Sequence, residues 1–237
     1  MGLVATAIGH FAAAPNRANA CTAITLKSED GGYVQARTQE WGVFDLESQI
    51  MITPRGIELN SNTPDKKEGL KWTSQYGVVG VNGVGRAIYI DGMNEKGLTV
   101  SVLYHPGTAE YQNYDPAQAS QSLDPVDVPM WLLTTIATVG EVKMKLPEVR
   151  VVPVATPELG GIVAPIHYLI SDKEGNLIVV EYLKGELHIF DNPVGVMTNS
   201  PEFPWHLTNL RNYGGLRAEA FEAIQVGDLE VTSFGVG

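Results

Sequence analysis

The sequence predicts an α+β domain with two sheets and helices packed outside them. Three observations predict it. Glycine and proline are frequent, 25 and 14 among 237 residues, and are spread along the chain, which suits short strands joined by turns better than a helical bundle. Short runs of alternating apolar and polar residues recur between turn signals. The elements also come in an order: a strand group, a helix, a second strand group, then more helix.

Thr22–Leu26 and Tyr33–Arg37 form a hairpin about Gly31-Gly32. Ser48–Thr53 is a strand ended by Pro54-Arg55-Gly56, and the polar stretch 59–70 reads as a loop. Tyr76–Val81 and Arg86–Asp91 are strands flanking Asn82-Gly83, a two-residue hairpin signal. The turn Asn94-Glu95-Lys96-Gly97 leads into Leu98–Tyr104. Residues 105–127, rich in Gln, Asp, Pro and Ser, read as a long loop of the kind that often carries function. Asp127–Val139 is helical, with Pro129 near its first turn, where proline is tolerated. After a Pro- and Gly-rich stretch at 147–165, the strands His167–Ser171, Leu177–Tyr182, Leu187–Phe190 and Gly195–Thr198 form the second group. Trp205–Tyr213 and Arg217–Ile224 are the closing helices.

The formal charge of −11 argues against a nucleic-acid partner, because phosphate contacts need clustered Lys and Arg. The single cysteine excludes an intrachain disulfide and a Cys-rich zinc site. The five histidines show no metal-ligand spacing: His105 reads as a loop residue, His167 and His188 sit in strand patterns, and His206 starts a helix. No metal or cofactor is expected, and the apolar N-terminal stretch is too short to span a bilayer.

Residues 1–20, MGLVATAIGHFAAAPNRANA, lack acidic residues and end in Ala18-Asn19-Ala20. Small residues at those two Ala positions match a signal-peptidase site, so the leader reads as a signal or pro-segment and the protein as periplasmic or secreted. The cut falls directly before Cys21. It gives Cys21 a free α-amine, whose ordinary pKa of about 7.7–8.0 leaves a neutral fraction at physiological pH. Thiol and base then sit on one residue, a nucleophile pair that needs no histidine.

The segment from Cys21 to Trp41, CTAITLKSEDGGYVQARTQEW, resembles the opening hairpin of the choloylglycine hydrolase and penicillin V acylase family. So do Met51–Gly56 (MITPRG), Asp91–Tyr104 (DGMNEKGLTVSVLY) and Val196–Tyr213 (VMTNSPEFPWHLTNLRNY), in family order across 21–237. The resemblance implies an N-terminal-nucleophile (Ntn) hydrolase domain over 21–237 with a four-layer αββα sandwich, hydrolysis of a linear amide, and a nucleophile uncovered by removing the residues ahead of it. It implies Cys21 as nucleophile. Arg37 would favour the thiolate by its charge. Glu40 stands where the family usually has Asp and would hold the α-amine. The Asn199 side chain and the Tyr104 backbone N–H would be the oxyanion donors. Tyr at position 104 leans toward penicillin V acylases rather than bile-salt hydrolases. Phenoxyacyl penicillins, conjugated bile salts and N-acyl homoserine lactones are the candidate substrates, and a homotetramer is the implied assembly. The family's later strands carry a site arginine in a Ser-Arg-Phe-type motif; this sequence ends Ser233-Phe234-Gly235-Val236-Gly237 without it, so the C-terminal part is expected to be missing. The alternative readings are an inactive binding module of the same fold and a lipid-anchored Cys21.

Overall fold

The computed structural model describes residues 19–41, 45–215 and 222–231. Residues 1–18 of the expected leader and most of the helix expected at 217–224 lie outside them; Ile224 itself belongs to a strand. The chain divides into two compact units, residues 1–200 and 201–237.

The first unit opens with the hairpin β1 (Asn19–Lys27) and β2 (Tyr33–Trp41). There follow β3 (Ile50–Thr53), β4 (Glu58–Asn62), β5 (Glu68–Thr73), β6 (Val78–Gly83), β7 (Arg86–Asn94) and β8 (Thr99–Tyr104). Next come the short β9 (Ser122–Leu123) and the helices α1 (Val128–Thr135) and α2 (Val139–Lys145). After them are β10 (Arg150–Val151), β11 (Ala155–Thr156) and β12 (Ile162–Val163). The last strands of the unit are β13 (Ile166–Ser171), β14 (Leu177–Leu183), β15 (Glu186–Asp191) and β16 (Val196–Met197). Seven strands make one antiparallel sheet in the order β15-β14-β13-β8-β7-β6-β3, and a second sheet has the order β16-β1-β2.

The pleat sorts the two faces of the large sheet. Val100, Tyr168, Ile170, Ile178 and Val180 join the apolar core with Leu132, Leu133 and Ile136 from α1 and its end. A Cβ on Gly92 would lie 2.8 Å from the Leu133 side chain, so glycine permits this close approach of α1 to the sheet. The opposite face carries Asp91 paired with Ser101, and His167 paired with Leu103 of β8. The β1–β2 hairpin lies over it: Gln35 Nε2 donates to Ser101 Oγ at 2.7 Å, and Gln35 Oε1 accepts from Thr99 Oγ1 at 2.6 Å. Helix, sheet and second sheet are thus three successive layers. The second unit holds the helix α3 (Phe203–Asn209), a 3₁₀ turn over Leu210–Tyr213, and the hairpin β17 (Ile224–Val226) and β18 (Leu229–Val231).

Three expectations are corrected. The polar stretch 59–70 is not a loop but most of the β4–β5 hairpin. Its polar side chains are paired inward: Ser61 Oγ donates to Asp127 Oδ2 at 2.7 Å, and Trp72 Nε1 donates to Thr134 Oγ1 at 2.9 Å. The β6–β7 turn is made not by Asn82-Gly83 but by Val84-Gly85, both at positive φ, 53° and 65°. Asn82 is drawn out of the turn because its Oδ1 accepts from Gln49 N at 2.6 Å and its own N–H donates to Gln49 O. Helix α1 ends four residues before Val139 because its last carbonyls find another donor. Asn94 Nδ2 reaches Leu133 O and Ile136 O, at 2.9 and 2.7 Å.

A buried acidic pair closes the long loop onto α1. Asp124 caps the turn Pro125–Asp127, accepting from Val126 N at 3.1 Å. Burial, and then the charge of Asp127, push its carboxyl up from 3.8 to about 7. The folded chain therefore holds a proton that the unfolded chain has released. The stability this provides is full below 3.8 and is lost as pH rises to about 7. Asp124→Asn keeps the acceptor and cannot ionise. Urea midpoints of variant and parent should coincide near pH ~4 and separate in the variant's favour by pH ~8; a gap that stays constant would refute the assignment.

Candidate active site

Cys21 lies near the start of β1 and is 6% exposed. Strand β16 pairs with β1 through Ala23↔Met197, so the residues after Met197 run on beside Cys21. There the Cys21 backbone nitrogen donates to Asn199 Oδ1 at 2.7 Å. Asn199 Nδ2 donates in turn to the Tyr104 carbonyl. One side chain thus ties the start of β1 to the end of β8.

The Tyr104 backbone is oriented by its neighbour. His105 N–H donates to Pro165 O at 2.7 Å, toward β13. In an antiparallel ladder successive residues point opposite ways, and N–H and C=O of one residue point the same way. Tyr104 therefore turns both groups away from β13, toward the side on which Asn199 meets its carbonyl.

Arg37 stands on β2 opposite Ala23 and shares a pocket lining with Cys21. Its side chain is 10% exposed, and Nη1 donates to Asp91 Oδ2 at 2.8 Å and to Val102 O at 2.9 Å. Burial pushes the Asp91 carboxyl up and outweighs the opposing pull of Arg37. The Arg37 guanidinium group is thus engaged by Asp91 and by the Val102 and Thr38 carbonyls. The pocket has a volume of about 360 Å³, and Cys21, Arg37 and Tyr104 meet a largely apolar wall that includes Val84, Ile88 and Ile166.

The structure brings together Cys21, Arg37, Tyr104 and Asn199, but not Glu40. Cys21 pairs with Gln39 and so shares a face with it, which puts the exposed Glu40 on the other face of the hairpin. The hydrogen-bond partner of the Cys21 nitrogen is Asn199.

Sequence reasoning passed over a buried group behind Asn199. His167 Nδ1 lies 3.0 Å from Glu181 Oε1, and its Nε2 lies 2.9 Å from Thr198 O. The His105 ring stacks on His167 with centroids 4.1 Å apart and 14° between planes. Ser200 Oγ donates to Pro106 O at 2.7 Å. One signal was legible: His167 and Glu181 each interrupt an otherwise apolar strand, in IHYLIS and LIVVEYL, and buried ionisable groups require partners. Among the described residues no helix is long and apolar enough to cross a membrane.

The profile of the linear amide C-N hydrolases, choloylglycine hydrolase family, matches residues 21–237. A bile salt hydrolase/transferase of Clostridium perfringens is 33% identical over 219 residues, covering 92% of this chain and 64% of the relative. The chain therefore spans less than two thirds of that relative's length. A solved variant of the conjugated bile acid hydrolase from Clostridium perfringens superposes with a TM-score of 0.70 at 31% identity, over 91% of this chain and 64% of the other. The penicillin V acylase of Agrobacterium tumefaciens gives 0.68 at 29% identity, over 81% and 56%. The expected fold class is thereby found: both neighbours are Ntn hydrolases.

Proposed function

Because the chain belongs to the choloylglycine hydrolase family of linear amide C-N hydrolases, we propose that it hydrolyses an N-acyl amide with Cys21 as the nucleophile. The observation that carries this reading is the position of the Cys21 nitrogen, 2.7 Å from Asn199 Oδ1, on the residue whose side chain lines the apolar pocket.

Removal of the residues ahead of Cys21 converts that nitrogen from an amide into an amine. Asn199 Oδ1 then holds one of its hydrogens, and its lone pair serves as base. The thiol attacks the substrate carbonyl carbon and gives its proton to the amine. The developing oxyanion is received at the edge toward which Tyr104 directs its N–H, beside Asn199. The amine returns the proton to the leaving nitrogen as the C–N bond breaks, and water hydrolyses the thioester. The Ala18-Asn19-Ala20 leader supports cleavage on export, in the periplasm or outside the cell.

The pocket wall fits a bulky apolar acyl group. Relatives named for bile salts and for penicillin V supply the two substrate classes to compare. Protein produced with export should begin at Cys21 by N-terminal sequencing. It should release glycine or taurine from conjugated bile salts, or 6-aminopenicillanic acid from penicillin V. A chain beginning at Cys21 that cleaves neither class would overturn the reading.

A further inference from the structure

We propose that the buried His167–Glu181 pair is a positioning device for Asn199, acting through the Thr198 carbonyl. It rests on the reading of Asn199 as part of the hydrolytic site.

Proton counting fixes the state of the pair. A carbonyl oxygen only accepts, so His167 Nε2 carries a hydrogen and donates it to Thr198 O at 2.9 Å. His167 Nδ1 and Glu181 Oε1, 3.0 Å apart, would otherwise present lone pair to lone pair. One proton therefore lies between them, and it sets the ring orientation that grips Thr198. Glu181 is 0% and His167 1% exposed, so breaking the pair strands a polar group away from water. The gripped carbonyl belongs to the residue before Asn199. On the other side, Ser200 is held by Pro106 O. Asn199 is thus clamped from both neighbours while its amide spans Cys21 and Tyr104.

Zinc chemistry is the competing use of His105, His167 and Glu181, whose ligand atoms all lie within 4.8 Å of one another. The ring geometry opposes it. A metal sits in the plane of each ligating imidazole, about 2.0–2.1 Å from nitrogen. Two stacked rings inclined by only 14° have planes that meet far beyond that distance. Among the described residues, titratable groups facing the pair include His105, just after β8, His188, directly opposite Glu181 on β15, and Cys21 across Asn199.

The substitutions that separate the roles are Glu181→Gln and Glu181→Leu. In Glu181→Gln the side-chain amide donates to Nδ1, and Nε2–H still reaches Thr198 O. In Glu181→Leu the Nδ1 partner is lost, and only the stack on His105 and the Thr198 carbonyl itself remain against the ring. The first readout is hydrogen exchange of the Asn199 side-chain amide by NMR, which needs no activity. Protection should persist in Glu181→Gln and drop at least ~10-fold in Glu181→Leu. The second is turnover per folded chain. A displaced catalytic group costs about 10²-fold, so kcat should fall by about that much in Glu181→Leu with KM little changed, and Glu181→Gln should recover most of it. Unchanged Asn199 protection in Glu181→Leu would overturn the proposal, as would one equivalent of zinc retained by the parent and lost in Glu181→Gln. An inactive parent would count against the hydrolase reading alone, because the exchange experiment still decides the clamp.

Discussion

Cys21→Ala should abolish amide hydrolysis while leaving the fold intact. In the proposed mechanism the thiol is the bond-forming group, and loss of a nucleophile from a site that works as a unit costs on the order of 10⁶-fold in turnover. Structurally the change is mild. The backbone nitrogen that bonds Asn199 is retained, as is the Cys21↔Gln39 pairing. Only a sulfur is lost from a side chain at the pocket wall. Urea unfolding should shift modestly, and circular dichroism should not change. Cys21→Ser should fall between parent and alanine, because the hydroxyl is a poorer nucleophile under the same weak base. Parental turnover by the alanine variant, measured on whichever amide the parent cleaves, would remove Cys21 from the mechanism.

The second large effect is expected at Asn199. Asn199→Ala deletes the side chain that joins the Cys21 nitrogen to the Tyr104 carbonyl. Removing one oxyanion-type donor costs about 10²–10³ in kcat, and release of the nucleophile's nitrogen should add to it. Asn199→Asp is the more telling variant. It keeps an oxygen for the Cys21 nitrogen but sets a second oxygen against the Tyr104 carbonyl, where a donor stood. It also places a negative charge beside the proposed oxyanion position. Asn199→Asp should therefore be at least as slow as Asn199→Ala, and the limb of its pH–rate profile set by the amine should move to higher pH, since an added carboxylate favours the protonated amine. An Asn199→Asp variant within a few-fold of the parent would place Asn199 outside the reaction.

What the sequence made legible follows from how local each signal is. The β1–β2 hairpin is readable from alternation about Gly31-Gly32, and nearest-neighbour register then puts Arg37 on the inner face. Glu40 was misplaced by the same kind of detail. A motif aligns residues by position, but the ladder decides which face each takes, and Gln39 rather than Glu40 lies opposite Cys21. The β4–β5 hairpin was hidden because its polar side chains bond to α1 and the loop before it, partners more than sixty positions away. The turn at Asn94 was visible, but its two side-chain bonds to the end of α1, 39 and 42 positions away, were not. His167 and Glu181 are fourteen positions apart and meet only because β13 and β14 are neighbours in the sheet.

The Asn199 bridge has a consequence for the order in which the protein is made. Cys21 and Asn199 are 178 positions apart. At roughly 5–20 residues per second, Cys21 waits roughly 9–36 s during synthesis before its partner has been added to the chain. During that interval β1 can pair with β2, but β16 does not yet exist to pair along its other edge. A nascent or C-terminally clipped chain therefore displays the thiol without the group that holds its nitrogen. The proposed centre cannot form before Asn199 has been added, so a reagent that labels only the thiol held beside Asn199 would report synthesis past β16 rather than folding of the first hairpin.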